Sequence, residues 1–192
     1  MAKLYFNYSS MNAGKSTMLL QANHNYIERG MKPEIFTSNL DSRFGKGEIV
    51  SRIGLKSKSN IFTTKTDIYN EIYNLKIKQN VDCVLIDEAQ FLTKDQVNQL
   101  GKIVDLLNIP VLTFGIRTDF QGNLFEGSKY LLAWADNLRE IKTICHCGRK
   151  ATMVLRLNEN GQIVKEGSQI EIGGEEKYVS VCRKHFNEKN IG

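Results

Sequence analysis

Three groups of residues have the types and spacings that chemistry needs. The first is Ser9-Ser10-Met11-Asn12-Ala13-Gly14-Lys15-Ser16-Thr17. Gly14-Lys15-Ser16 completes a pattern of the form G-x-x-x-x-G-K-[ST]. There main-chain N–H groups and a helix N-terminus converge on phosphate, the lysine reaches the β/γ-phosphates and the hydroxyl ligates Mg²⁺. The position five before Gly14, glycine in that pattern, holds Ser9. A serine serves there only if the chain avoids positive φ, which glycine tolerates and side chains disfavour. The ordinary alternative is a strand-to-helix turn with a capping serine.

The second group is Asp87-Glu88, directly after the apolar run Val81-Asp82-Cys83-Val84-Leu85-Ile86. A strand ending in two carboxylates delivers them to the carboxyl edge of a sheet, where open α/β folds bind ligands. The first carboxylate suits Mg²⁺ and the second suits accepting a proton from an attacking nucleophile. The bland alternative is a plain pair of strand-end acids, the weaker reading even taken alone; with Gly14-Lys15-Ser16 upstream it weakens further.

The third group is Cys145, His146, Cys147, Cys182 and His185, two tight clusters some 35 residues apart. Segments Ala151–Leu157, Gln162–Lys165, Gln169–Ile172 and Tyr178–Val181 between them read as short strands, with Asn160-Gly161 as a hairpin turn. Paired ligands around β-hairpins predict a zinc ribbon. The first pair is C-x-C, not C-x₂-C. The favoured set is Cys145, Cys147, Cys182 and His185, since His185 gives the second pair C-x-x-H spacing; His146 is the alternative fourth ligand. Four protein ligands leave no open position, so this zinc is expected to be structural, and the ribbon is too small to fold on its core alone. Cys83, inside a strand, reads as core.

The elements that must hold these groups can be read from period and punctuation. Lys3–Tyr8 alternates as a strand; Ser16–Arg29 has helical spacing and Gly30 to end it. Pro33–Ser38 is a second strand. Asn39–Asn60 is polar and basic without a clear period, and is expected to be a long mobile loop. Asp67–Lys78 is helical; Thr93 and Gln96 form a capping box ahead of Val97, Leu100, Val104 and Leu107 on one helical face. Pro110–Gly115 is a buried-type strand leading into an aromatic and polar loop, Ile116–Phe125. Ser128–Asn137 is expected to be a short buried helix, and its aromatics core. The alternation predicts an α/β domain over residues 1–141, a P-loop NTPase-like parallel sheet with helices on both faces, followed by a zinc-ribbon domain over 142–192.

The chain has 192 residues and a net charge of +5, unevenly spread: residues 1–80 carry 12 Lys/Arg against 6 Asp/Glu, and residues 81–192 carry 14 against 15. The surplus around the phosphate loop, including Arg43, Lys46, Arg52, Lys56 and Lys58, suits an anionic ligand. No apolar run approaches the ~20 residues that span a bilayer, and no signal-peptide apolar region follows Met1, so no membrane partner and a cytoplasmic location are expected.

These blocks together resemble the thymidine kinases of the cytosolic, oligomeric type (type II) in their bacterial form. The resemblance runs nearly end to end. It rests on Ser10–Ser16, Asp41-Ser42-Arg43-Phe44-Gly45, Asp87-Glu88-Ala89-Gln90-Phe91-Leu92, Gly115–Phe120 and Gly173–Arg183. It implies transfer of the γ-phosphoryl of ATP to the 5′-hydroxyl of thymidine, with deoxyuridine a candidate second acceptor. By resemblance Glu88 is the base; Ser9, Ser10, Met11, Asn12, Ala13, Gly14, Lys15 and Ser16 with Asp87, Glu88, Ala89 and Gln90 hold ATP; Ser16 and Asp87 arrange Mg²⁺. Met11, Phe91, Phe120 and Phe125 would wall the thymine. A lasso from Gln169 to Tyr178, including Ile170, Glu171, Ile172 and Gly173, would cover the nucleoside. The family also implies a homotetramer inhibited by thymidine triphosphate. The competing expectation is a nucleic-acid-stimulated P-loop ATPase gripping a strand with its basic loop and ribbon. Residues 142–192 lack the interleaved cations and aromatics of a stacking groove, so no nucleic-acid partner is expected.

Overall fold

From Leu4 to Glu140 the strands of the core are separated by helices except between residues 33 and 62, where four strands follow one another. The computed structural model describes residues 1–40, 47–170 and 177–192. In order, these form β1 (Leu4–Ser9), α1 (Lys15–Glu28), β2 (Pro33–Ser38), β3 (Glu48–Val50), β4 (Lys56–Lys58), β5 (Asn60–Phe62), α2 (Ile68–Lys78), β6 (Cys83–Ile86) and a 3-10 turn at Ala89–Phe91. Then follow α3 (Lys94–Leu107), β7 (Val111–Ile116), α4 (Glu126–Trp134), β8 (Asn137–Glu140), β9 (Thr143–Ile144), β10 (Lys150–Ala151), β11 (Met153–Arg156), β12 (Tyr178–Val181) and α5 (Arg183–Glu188).

The main sheet has the order β5-β2-β6-β7-β1-β8, and each neighbouring pair in it is parallel. The two-residue period of the strands sorts side chains to opposite faces. Phe36, Val84 and Ile86 meet Ile68, Ile72, Leu100 and Leu131 from α2, α3 and α4. Ile35, Leu85 and Phe114 meet Leu19 and Leu20 of α1. Helices therefore cover both faces, as such sheets require. Thr93 and Gln96 cap α3 reciprocally, and Asp67 caps α2 through the Asn70 N–H. Parallel strands bring the ends of β1, β6 and β7 to one edge, where the phosphate loop, Asp87-Glu88 and the Ile116–Phe125 loop all emerge.

Several expectations need correction. Within the expected long loop, residues 47–60 form a β3–β4 hairpin paired Glu48 to Lys58 and reach the start of β5. Strands of three residues are too short to show a period, although Ile49 is buried with the α1 face of the core. The expected helix Ser128–Asn137 runs instead from Glu126 to Trp134, and Trp134 is half-exposed against Tyr130 rather than buried. Asn137 instead opens β8, which pairs in parallel with β1. The Asp136 carboxylate, just before it, accepts the Leu4 N–H at 2.7 Å and so ties the two strand starts together.

In the C-terminal region the expected strand Ala151–Leu157 breaks at Thr152 into β10 and β11; the Thr152 N–H donates to the Val181 carbonyl. Gln162–Lys165 forms only a single bridge, Leu157 to Ile163. Gln169 and Ile170 lie outside any strand, and Glu171 and Ile172 outside the described residues. A separate apolar cluster sits here: Cys145, Ala151, Leu155, Val181 and Cys182, with Met153, Val179, Phe186 and Ile191 around it.

Candidate active site

Ser9 is the last residue of β1 and pairs with Ile116 of β7. It is absent from the positive-φ positions, which in this loop are Asn12 at 61° and Gly14 at 82°. Here lies the reason serine is tolerated: the left-handed turn falls on Gly14, three residues past Met11, and on Asn12, the kind of residue that visits that region most readily after glycine. Gly14 caps α1 without any side-chain hydrogen bond, and the first turn of α1 holds no acidic side chain. The N–H groups of its first turn face the loop, a donor set made for an anion.

Lys15 is buried, its ammonium donating to Ser9 Oγ at 3.2 Å and to the Ser10 carbonyl at 3.3 Å. Ser16 Oγ donates to Asp87 Oδ2 at 3.1 Å, joining α1 to the end of β6. A hydroxyl and a carboxylate in contact beside a phosphate loop are the oxygen donors that Mg²⁺ takes. Burial pushes the Asp87 carboxyl up to about 7, and the Glu88 charge adds to the rise; the Glu88 N–H, Lys15 and Ser16 act against it. A cation at this spot would relieve that cost.

Glu88 is itself in the left-handed region, with φ 53°, which turns the chain sharply as it leaves the sheet. Its Oε2 accepts from the side-chain amide of Gln90, while Gln90 Oε1 accepts the Ile116 N–H at 3.1 Å. Gln90 is thus a strut between Glu88 and β7. Ala89 is wholly buried under α4: a Cβ at Gly127 would press on the Ala89 carbonyl and lie 2.9 Å from the carbonyls of Gln90 and Leu92. Only glycine allows α4 to approach this turn so closely.

Of the expected thymine wall, Phe91 and Phe125 meet edge-to-face at 5.9 Å. Phe120 is buried beneath the Arg156 guanidinium, 3.8 Å from its ring centre. Arg156 also donates to the Ser168 carbonyl at 2.9 Å, and Gln169 donates to Asp119 Oδ2 at 2.9 Å. Asp119 Oδ1 accepts the N–H groups of Gln121 and Asn123. The first lasso residues are thereby fastened to the loop after β7. Tyr178 begins β12 opposite Arg156. Glu171, Ile172 and Gly173 lie outside the described residues, as do Arg43 and Lys46. Lys56 and Lys58 are exposed on β4, whereas Arg52 reaches the phosphate loop, donating to Asn12 Oδ1 at 2.6 Å.

Sequence reasoning missed the loop contacts of Asp119, of Arg156 and of Ser180, whose hydroxyl donates to the Met11 carbonyl. Arg156 gives the one legible signal, a cation ending an apolar run, Met153-Val154-Leu155, yet only 3% exposed. Ser180 gives none.

The metal candidates converge as the C-x-x-H spacing predicts. One ligand atom from each of Cys145, Cys147, Cys182 and His185 lies within 4.8 Å of the others. Cys147 and Cys182 sulfurs are 3.9 Å apart, and Cys145 Sγ is 3.3 Å from His185 Nδ1. Zn–S bonds of about 2.3 Å in a tetrahedron separate sulfurs by about 3.8 Å, so the residues fit zinc. Burial opposes a thiolate at Cys145, but the Cys147 N–H, His185 and the Cys182 N–H outweigh it and pull the thiol down to about 6. His146 stacks on the His185 ring at 4.2 Å, outside the four-ligand set.

The profile of the family described as "Thymidine kinase" matches residues 2–186. A thymidine kinase of Mannheimia succiniciproducens is 60% identical over 98% of this chain and 97% of its own length. One from Haemophilus influenzae is 59% identical over 98% of both chains, and one from Vibrio parahaemolyticus 60% identical over the same shares. Among solved structures, the Pif1 helicase of Candida albicans aligns at a TM-score of 0.45 and 13% identity, over 74% of this chain and 36% of that one, too slight a likeness to assign anything. On a match spanning both the phosphate-loop sheet and the cysteine-histidine cluster, this chain belongs to the thymidine kinase family.

Proposed function

We propose that this chain is an ATP-dependent thymidine kinase that transfers the γ-phosphoryl of ATP to the 5′-hydroxyl of thymidine, with deoxyuridine as a candidate second acceptor. One observation carries the reading. Ser16 and Asp87 meet across the sheet edge at 3.1 Å, and Glu88 follows Asp87 on a turn braced by Gln90. Such an arrangement suits phosphoryl transfer, which needs positioning and charge neutralisation rather than covalent intermediates.

The residues divide the work. The loop from Ser9 to Ser16 holds the triphosphate through main-chain N–H groups, and Lys15 swings from its contacts with Ser9 and Ser10 onto the β/γ-phosphates. Ser16 and Asp87 would hold Mg²⁺, which supplies charge neutralisation on the phosphate oxygens. Glu88 takes the proton as the 5′-oxygen attacks the γ-phosphorus in line, and ADP leaves from the opposite side. Phe91, Phe120 and Phe125 with Met11 wall the base. The lasso between Gln169 and Tyr178 covers it and excludes water, which limits ATP hydrolysis. Cys145, Cys147, Cys182 and His185 would hold a structural zinc that fixes both ends of residues 142–192 as a ribbon domain beside the domain of residues 1–141. The remaining parts of the proposal are a homotetramer in the cytoplasm, feedback inhibition by thymidine triphosphate, and salvage of thymidine for DNA synthesis.

The test is to incubate the purified protein with Mg·ATP and thymidine, or with Mg·ATP and single-stranded DNA, and measure ADP and nucleoside monophosphate. Equimolar ADP and thymidine monophosphate support the kinase. DNA-dependent phosphate release with no nucleotide product overturns it.

A further inference from the structure

We infer that Ser180 is a positioning residue for the phosphate loop, holding the Met11–Asn12 peptide in the orientation that presents its N–H to phosphate. Ser180 is 169 positions away in sequence, yet its hydroxyl donates to the Met11 carbonyl at 2.6 Å. The peptide is trans, like every peptide bond described. Its N–H therefore points opposite to its carbonyl, away from β12. Were the Met11 carbonyl to turn over, an oxygen would replace a donor on the phosphate side of the loop.

This peptide needs an external hold. Asn12 has φ 61°, a conformation that costs free energy for any residue bearing a side chain and persists only when its surroundings enforce it. Two contacts do so from different elements. Arg52, in the β3–β4 turn, donates to the Asn12 side chain at 2.6 Å, and Ser180 fixes the preceding carbonyl. Two further ties join the same regions: Ser10 Oγ donates to the Ala151 carbonyl at 3.4 Å and Arg117 to the Thr152 carbonyl at 3.1 Å. Those two run from side chains to main-chain carbonyls of the ribbon; among the described residues, Ser180 is the ribbon residue whose hydrogen bond reaches Met11, at the crest of the loop.

The location gives the contact a consequence. Ser180 stands two residues after Tyr178, where the lasso returns, and two before the ligand Cys182. One short strand, β12, thus connects the nucleoside cover, the phosphate loop and the metal cluster. The inference deepens the kinase reading, assigning ATP affinity in part to the ribbon.

The experiment compares wild type, Ser180→Ala and Ser180→Thr. Affinity for Mg²⁺ with a non-hydrolysable ATP analogue is measured by calorimetry, and KM and kcat for both substrates by steady-state assay. Zinc content and melting temperature are measured in parallel. Loss of one hydrogen bond predicts a roughly three- to tenfold weaker analogue affinity and a matching rise in KM for ATP. Zinc content should not change and KM for thymidine should move less than twofold. Ser180→Thr keeps the hydroxyl on a strand position that suits it and should restore wild-type affinity. Unchanged analogue affinity in Ser180→Ala overturns the inference, as does a loss accompanied by loss of zinc, which would make the residue merely structural. The calorimetry needs no acceptor, so failure of the wild type to phosphorylate thymidine would sink the kinase reading and leave this one standing.

Discussion

Asp87→Asn should make the ligand-free protein more stable at pH 8 while abolishing its activity. Asp87 is 2% exposed, and burial, then the charge of Glu88, raises its carboxyl from an ordinary 3.8 to about 7. Each unit is worth about 1.4 kcal/mol, so at pH 8 the ionised carboxylate costs on the order of 4 kcal/mol relative to the unfolded chain. The folded-state value lies above the unfolded one. Its favourable contribution is therefore complete below about pH 4 and is lost as the pH rises through about 7. Asparagine retains the shape: its carbonyl can still accept the Glu88 N–H now 3.0 Å from Oδ1, and its amide can donate to Ser16 Oγ. Lys15 forfeits an attractive neighbour, so a net gain of about 2 kcal/mol is a fair expectation, or about 4–8 °C in melting temperature for a chain of this size. The assay is thermal unfolding of metal- and nucleotide-free protein from pH 5 to pH 8.5, wild type against variant. The advantage should shrink to under about half by pH 5. A variant that melts below wild type at pH 8, or one whose advantage is as large at pH 5, refutes the reasoning.

Glu88→Gln should lower kcat by ~10²–10⁴, the usual worth of a general base, while analogue affinity by calorimetry stays near wild type; a kcat within twofold of wild type removes Glu88 from the chemistry. Cys182→Ser should weaken zinc binding by more than about 100-fold and lower the melting temperature with it, because ribbon folding and metal binding are one equilibrium. Atomic-emission metal analysis alongside thermal melts checks this, and a zinc-free variant of unchanged stability contradicts a structural metal. Gly127→Ala forces a methyl against the carbonyls of Ala89, Gln90 and Leu92. It should cost about 1–3 kcal/mol in urea unfolding and lower kcat by displacing the Glu88 turn; full stability would mean that α4 can retreat without penalty.

What could be read in the chain followed from how far each signal reaches. Thr93 and Gln96 announce α3 because a capping box is local in sequence, and Gly14-Lys15-Ser16 announces the phosphate loop for the same reason. The candidate metal cluster was legible because ligands of known types recur at two spacings, and the structure brings Cys145, Cys147, Cys182 and His185 within 4.8 Å of one another. The β3–β4 hairpin and β8 were not legible. Three- and four-residue strands carry too little period, and β8 exists because β1 offers it an edge. Ser180 and Arg156 were hidden for a different reason: a serine in a strand and an arginine at the end of one acquire meaning only when folding sets them against Met11 and Phe120.

The same division explains where the molecule tolerates local cost. Asp87 is buried with its charge opposed, and Asn12 and Glu88 sit at positive φ without being glycine. All three lie within the short arc from the phosphate loop to the end of β6, where the kinase proposal places the triphosphate and the alcohol. Their supports lie elsewhere: the wholly buried Ala89 under α4, Gln90 strutted on β7, and the ribbon's grip on Met11. Strain of this sort persists only where the surroundings overdetermine the conformation. On the inference drawn for Ser180, the ribbon does more than cover the nucleoside. Because β12 supplies part of the restraint on the phosphate loop, a variant that loosens the metal cluster should weaken ATP binding even with no nucleoside present, and a ribbon acting solely as a cover would leave that affinity untouched.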